Sequence, residues 1–286
     1  MMRTFYNQMW ARAHAEGKRI SPFVVVICFR LFLLSTLTIM ATGPAQAATA
    51  NVAVAANFRG VLAEIARLFM QHSGHEIVIS SGSTGKLYTQ IRYGAPYDVF
   101  LAADQTRPAA LIRQGVAVAG SRFTYARGKL VLYSRDAGLT DRLAHKLKQG
   151  HWTRLAMANP LIAPYGRAGQ QVIEKITDLR FDHLVAKGRI LQADNITQAY
   201  QFAMTGHADM AFVALSQVKT GEGGDYWIIP ETHYDPVLQD AVLLRRGAEN
   251  PAATAFLEYL KDERTRSLIR GYGYEMVGQD RTVTEN

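Results

Sequence analysis

Of 286 residues only one is cysteine, Cys28, and it lies in the N-terminal leader. From Ala48 onward the chain therefore offers no disulfide, no thiol nucleophile, no cysteine metal site and no cysteine for a lipid anchor. Charge of one sign is also scarce. The net charge is +8, but residues 1 to 47 hold five basic residues and one acidic residue, or +4, which leaves only +4 for the remainder. No block of like charge and no basic stretch interleaved with aromatics occurs, which argues against nucleic acid as a partner. After Ala48 there is no apolar run long enough to span a bilayer. A Gly-x-Ser-x-Gly elbow is missing too, so hydrolase chemistry has no support.

The leader itself has a definite order: basic residues (Arg3, Arg12, Lys18, Arg19), the apolar run Phe23 to Met40 interrupted by Arg30, then "GPAQA" ending at Ala47. That is the sequence of a secretory signal with an Ala-x-Ala cleavage site, so residues 1–47 are expected to be removed and the rest to be exported. A start codon placed too far upstream, or an uncleaved anchor, are the alternatives.

The stretch "ISSGSTGKLYTQI", Ile79 to Ile91, has the look of a phosphate-cradling loop. Ser80, however, stands where the Walker pattern needs its first Gly, and Leu87 stands where it needs Ser or Thr as a magnesium ligand. The residues suit an anion held without magnesium.

From Asn51 onward short apolar runs alternate with segments of helical period. "VAVAA" (Val52 to Ala56) reads as a buried strand; Val61, Leu62, Ile65, Leu68 and Phe69 recur at helical spacing with Gly74 as the stop. Strand "EIVIS" (Glu76 to Ser80), a helix over Thr84 to Arg92, strand "YDVFLAA" (Tyr97 to Ala103) and a helix over Pro108 to Gln114 follow. Repeated strand–helix units predict parallel sheets covered by helices. A β-rich run, Phe123 to Ser134, interrupts the alternation. After it come "RLAMANP", a helix over Gly166 to Thr177, "GRILQA", a helix over Asn195 to Met204, "DMAFVAL", a final strand "LQDAVLLRR" and a helical tail from Pro251. Two α/β halves are expected.

Four strand ends open into small or hydroxyl-rich turns that lead into helices: "AANF", "SGSTGK", "ANPLIAPYGRAG" and "ADNITQA". In open α/β sheets ligands collect outside the carboxyl ends of strands, where helix N-termini expose unpaired N–H groups. Such ends, facing one another, suit an oxyanion surrounded by neutral donors.

The chain resembles the periplasmic molybdate-binding proteins of ABC importers, which are type II periplasmic binding proteins. The resemblance is carried by "VAVAANF", "ISSGSTGKLYTQI" with "GAPYDVFLAAD", "GSRFTYARGKLVLYS", "NPLIAPYGRAGQQV" and "GHADMAFVALSQV", in that order across nearly all of the chain beyond the leader. It implies an α/β fold of two lobes, each a mixed, mostly parallel sheet flanked by helices. Two crossovers, near Phe123 to Tyr133 and near Tyr234 to Val242, would join them. Lobe I would comprise 48–128 and 240–286, and lobe II 129–239. The resemblance also implies capture of molybdate or tungstate for delivery to an ABC permease, with no enzymatic activity, no cofactor and no direct metal-ion ligands. A monomer is expected, since both lobes must face the permease.

Transferred position by position, the resemblance implies oxyanion contacts from Asn57, from the Thr84 hydroxyl, and from the main-chain N–H groups of Tyr165 and Ile196. Ala56 supplies no hydroxyl where some relatives have Thr, but its N–H is still available. Where some relatives add a tyrosine hydroxyl, this chain has Ala214. Lys86 and Arg59 are read as solvent-facing and outside the site, His72 and His75 as surface residues, and Asp98 and Asp104 as polar ends of a strand. Asp194 is read as a helix cap or loop residue, and Ser83, like Thr84, is open to the ordinary reading of a helix cap.

The absence of counter-charges has a chemical logic. Molybdate, tungstate and sulfate carry no proton at neutral pH, so all their oxygens accept; phosphate retains part of a proton and is matched by an acceptor in its site. No Asp or Glu occurs in the second loop. Sulfate, another oxyanion or a small organic acid in the same architecture remains the alternative cargo, and an exported enzyme acting on a phosphoryl or sulfuryl group the alternative class.

Overall fold

A computed structural model describes residues 47–219 and 223–277. The leader reading, apart from Ala47 itself, lies outside the described residues. Among those residues no helix is long and apolar enough to cross a membrane.

Two five-stranded mixed sheets organise the chain. The first comprises β1 (Thr49–Ala55), β2 (Glu76–Gly82), β3 (Val99–Leu101), β4 (Phe123–Gly128) and β10 (Val237–Leu243), in the order β2-β1-β3-β10-β4. β1 pairs in parallel with β2 and β3, while β10 runs antiparallel between β3 and β4. A central strand covered on both faces needs a near-continuous apolar run, which "VAVA" supplies. The second sheet comprises β5 (Leu130–Ser134), β6 (Leu155–Ala158), β7 (Ile190–Ala193), β8 (Met210–Ala214) and β9 (Asp225–Ile228), ordered β7-β6-β8-β5-β9. Here β6 pairs in parallel with β7 and β8, and β5 is the antiparallel insertion between β8 and β9. The two sheets thus share one topology with different chain order. This is the two-lobe type II periplasmic binding fold.

The expected β-rich run Phe123 to Ser134 is two strands in different sheets, divided at Lys129. Gly128 explains the break point: a Cβ there would fall on the Tyr165 hydroxyl and beside the Gln239 amide, so only glycine fits where the chain leaves the first sheet. The return crosses between Ile228 and Val237.

Helices cover both sheets. α1 (Arg59–Ser73) buries Val61, Leu62, Ile65, Ala66 and Phe69 and ends at Gly74, whose φ of 72° and N–H bond to the Met70 carbonyl close the last turn. α2 (Thr84–Arg92) and α3 (Thr106–Arg113) complete the first half. In the second half lie α4 (Thr140–Gln149), α5 (Pro164–Ile176), α6 (Phe181–Ala186), α7 (Ile196–Met204) and α8 (Leu215–Val218). The tail, expected as one helical segment, is two helices, α9 (Pro251–Lys261) and α10 (Glu263–Gly271). They break at Asp262, which is extended (ψ 141°) and whose carboxylate accepts the Arg264 N–H. α4, α6 and β9 carry no sequence expectation; α4 buries Leu143 and Leu147 among its described side chains, too few apolar positions for a periodic signal.

Candidate oxyanion site

One narrow pocket receives the four predicted turns. From the first lobe come Ala55 to Asn57 after β1, Gly82 to Thr84 after β2, and Ala103 after β3; from the second come Ala163 to Tyr165, which open α5, and Asn195 and Ile196, which open α7. Ala56, Asn57, Thr84, Tyr165 and Ile196 are therefore brought together. Among the described residues, no lysine, arginine, aspartate or glutamate lines the pocket. Three helix N-termini converge on it, so the local field is positive without a formal cation.

Ser83 occupies the N-cap position of α2 with extended backbone (φ −69°, ψ 144°), yet its side chain makes no capping bond. Its hydroxyl is buried and has no hydrogen-bond partner. A buried hydroxyl left unpaired costs about 1–3 kcal/mol, so the helix is deprived of its ordinary cap in favour of a group turned to the pocket. The neighbouring Thr84 is also buried; its Oγ1 accepts the Ala103 N–H at 3.1 Å and keeps its own proton free to donate. The sequence assigns a contact to Thr84 and leaves Ser83 open to the reading of a helix cap, for which the structure shows no bond. The available signal was the pair of adjacent hydroxyls before a glycine, where one cap alone needs one.

Across the pocket, α5 begins with Pro164, whose missing N–H is harmless in a first turn, and Tyr165 follows. α7 is capped by Asn195, whose Oδ1 accepts the N–H groups of Thr197 (3.0 Å) and Gln198 (3.1 Å). The cap thus satisfies those two donors and leaves the Ile196 N–H, which has no carbonyl within its own helix, facing outward from the helix end. Asn195 is the cap. Asp194 is the loop residue before it, and its carboxylate pairs with Lys86 at 2.7 Å. Lys86 is half exposed and stays outside the pocket.

Asn57 differs from a simple ligand side chain. Both hydrogens of its amide are engaged, one by Gln239 Oε1 at 2.8 Å and one by the Tyr274 hydroxyl at 3.0 Å. Its carbonyl accepts from Tyr274 (2.9 Å) and from Ser216 of α8 (3.1 Å). Gln239 also accepts from the Tyr125 hydroxyl at 3.0 Å and donates to that of Tyr165 at 3.3 Å. What Asn57 still has to offer the pocket is its main-chain N–H, in the short 3-10 turn Ala56–Phe58. Burial pushes the Tyr125 and Tyr165 hydroxyls well above the usual tyrosine range and Tyr274 up to about 12, so the whole network stays neutral around pH 7. Its members are far apart in sequence and carried no local motif.

The other residues singled out fall elsewhere. Arg59 is exposed. His75 Nδ1 accepts the Ala48 N–H at 3.2 Å, and His72 is exposed near the Tyr259 ring. Asp98, just before β3, is buried and accepts the Asn51 N–H at 2.8 Å, whereas Asp104 pairs with Arg107 at the start of α3. Ala214 ends β8, fully buried and away from the pocket. A larger cavity of about 180 Å³ opens alongside, lined among others by Asp104, Arg167 and Asp235. Its mixture of charges suits water and solvent ions better than one oxyanion.

The sequence model of the bacterial extracellular solute-binding proteins matches residues 50–275. The chain is 47% identical over 233 residues to the molybdate-binding protein ModA of Azotobacter vinelandii, covering 80% of this chain and 91% of that one. It is 44% identical over 231 residues to the molybdate-binding protein ModA of Rhodobacter capsulatus, covering 81% and 90%. The solved structure of an Azotobacter vinelandii periplasmic molybdate-binding protein superposes with a TM-score of 0.75 at 41% identity, covering 80% of this chain and all of that one. The chain belongs to the bacterial extracellular solute-binding proteins and, at this identity and coverage, to the molybdate-binding protein family among them.

Proposed function

We propose that this protein captures molybdate outside the cytoplasm and delivers it to an ABC permease in the membrane. The observation that carries the reading is the buried, unpartnered Ser83 hydroxyl in a pocket of helix N-termini with no ionisable carboxylate, lysine or arginine. Such a pocket offers hydroxyl and N–H donors with no carboxylate beside them, which matches an anion whose four oxygens all accept. The contacts would be the hydroxyls of Ser83 and Thr84 and the main-chain N–H groups of Ala56, Asn57, Tyr165 and Ile196. At about 1.5–3 kcal/mol net for each hydrogen bond to a charged group, six contacts favour binding without a counter-charge. The identity to the molybdate-binding relatives supports molybdate over sulfate. Tungstate, of similar size and charge, would be accepted by the same donors.

Removal of residues 1–47 at the Ala47 boundary, a periplasmic location and action as a monomer complete this reading. Lobe I would take the first sheet with its helices, and lobe II the second, with the permease reading both. Isothermal titration of the processed protein with molybdate, tungstate, sulfate and phosphate tests it. Tight binding of the two metal oxyanions and at least a hundredfold weaker binding of sulfate and phosphate are expected. Comparable affinity for sulfate would sink the assignment.

A further inference from the structure

The first turn of α2 does two things at once. Ser83 and Thr84 line the pocket, whereas the next two residues reach the opposite lobe. The Gly85 N–H donates to the Ile162 carbonyl at 2.8 Å, and Lys86 Nζ meets Asp194 Oδ2 at 2.7 Å. Ile162 lies in the loop before α5 and Asp194 in the loop before α7, so both contacts join the lobes immediately beside the pocket. One main-chain bond and one ion pair form a seam along its rim.

The identity of residue 85 is explained by this seam. Gly85 lies inside a regular helix and does not have the positive φ that calls for glycine. Glycine in a helix is otherwise a disadvantage relative to alanine. A Cβ at this position, however, would stand 2.9 Å from both the Cα and the carbonyl oxygen of Ile162, and 3.1 Å from its Cβ. Two of those three atoms are backbone and cannot swing aside. The helix therefore accepts a poor helix former because the opposite main chain must approach to hydrogen-bond distance.

We propose that Gly85 is the contact on which the lobes shut, and that the Gly85–Ile162 bond, supported by Lys86–Asp194, sets how long a captured oxyanion is retained. The inference rests on the oxyanion-capture reading above. A first-turn N–H has no carbonyl partner in its own helix, so closing the cleft satisfies a donor that is otherwise left to water. Closure around ligand is shared by two-lobe proteins; the residue-level seam is what this structure adds. The ion pair is largely exposed, with side chains 47% and 65% accessible, and so contributes the smaller part.

The test is stopped-flow binding and release of molybdate, with melting of the unliganded protein as the control. Gly85→Ala is expected to speed release about ten- to a hundredfold, with association changed less than about threefold, because the methyl holds the seam open after the anion has docked. The unliganded variant is expected to melt at or above the wild-type temperature, because alanine favours the helix. A role in folding alone would instead lower the melting temperature and leave release unchanged. Lys86→Asp is expected to speed release a few-fold, and Lys86→Asp combined with Asp194→Lys to restore it within about twofold, an arm that decides the matter even if Gly85→Ala fails to fold. Wild-type release rates in Gly85→Ala, or in Lys86→Asp, overturn the seam while leaving the function standing. A wild-type protein that binds no oxyanion overturns both.

Discussion

Both lobes place main-chain N–H groups at the pocket, those of Ala56 and Asn57 in the first and of Tyr165 and Ile196 in the second, but only the first adds side-chain hydroxyls, those of Ser83 and Thr84 at the head of α2. The difference follows from what precedes each helix. No side-chain cap closes α2, so the Ser83 hydroxyl is unpartnered and the Thr84 hydroxyl, which accepts the Ala103 N–H, keeps its proton to donate. Asn195 caps α7 firmly and Pro164 starts α5, so those helices have only peptide donors to present. Side-chain donors are replaceable one atom at a time; peptide donors persist through almost any substitution except proline. One wall of the pocket therefore carries hydroxyls that a single substitution can remove, whereas the other is lined by peptide donors alone.

The comparison breaks most sharply at Thr84. Thr84→Asp puts a negative charge and an acceptor against the anion, and titration should show molybdate affinity reduced more than about a thousandfold. Unchanged affinity would remove Thr84 from the contacts. Ser83→Ala should weaken binding by about ten- to a hundredfold, the value of one hydrogen bond to a charged group. It should leave the melting temperature of the unliganded protein unchanged or raised, since an unpaired buried hydroxyl has been removed.

On the other wall, Ile196→Pro deletes a single N–H. The position is the first of α7, where proline is tolerated, and Asn195 before it is already extended (φ −155°, ψ 172°). Folded protein with about tenfold weaker binding is expected, against Ile196→Val within about twofold. Equal losses in both variants would show that the side chain, not the peptide, matters.

The smallest effect concerns the neutral network behind both walls. For Tyr274, held at about 12 in the folded chain against an ordinary value of 10.0, the protein gains its full stabilisation below pH 10 and loses it as the pH rises from there towards 12, because the unfolded chain ionises first. Melting temperature should fall over that window and Tyr274→Phe should flatten the fall. Affinity for molybdate should be level from about pH 6 to 9, since no group lining the pocket titrates there.

How much of this could be read in the residues depended on how local the cause was. α1 with Gly74, and the buried strand β1, rest on periodicity within a dozen residues and were legible. So were the four turns at residues 55–58, 81–86, 158–169 and 193–199 that meet at one pocket, because helix starts after strands have a local signature. The split of residues 123–134 into strands of two sheets was not legible, since it depends on Gly128 meeting Tyr165 and Gln239. At Ser83 the sequence leaves a helix cap and a free hydroxyl indistinguishable; only the missing capping bond separates them. Asn57 was expected as a contact, but the engagement of its amide depends on Gln239 and Tyr274, which are 182 and 217 positions away.

The place of β10 has one further consequence. The five strands of the second sheet follow one another without interruption from Leu130 to Ile228, whereas the first sheet is completed only when Val237–Leu243 inserts between β3 and β4. A chain threaded through a membrane from its N-terminus would thus finish its second half while the first still lacks a middle strand. In such a chain the facing edges of β3 and β4 would stay unpaired until the last fifty residues arrived, and there chaperones or stray β-edges would have their opportunity.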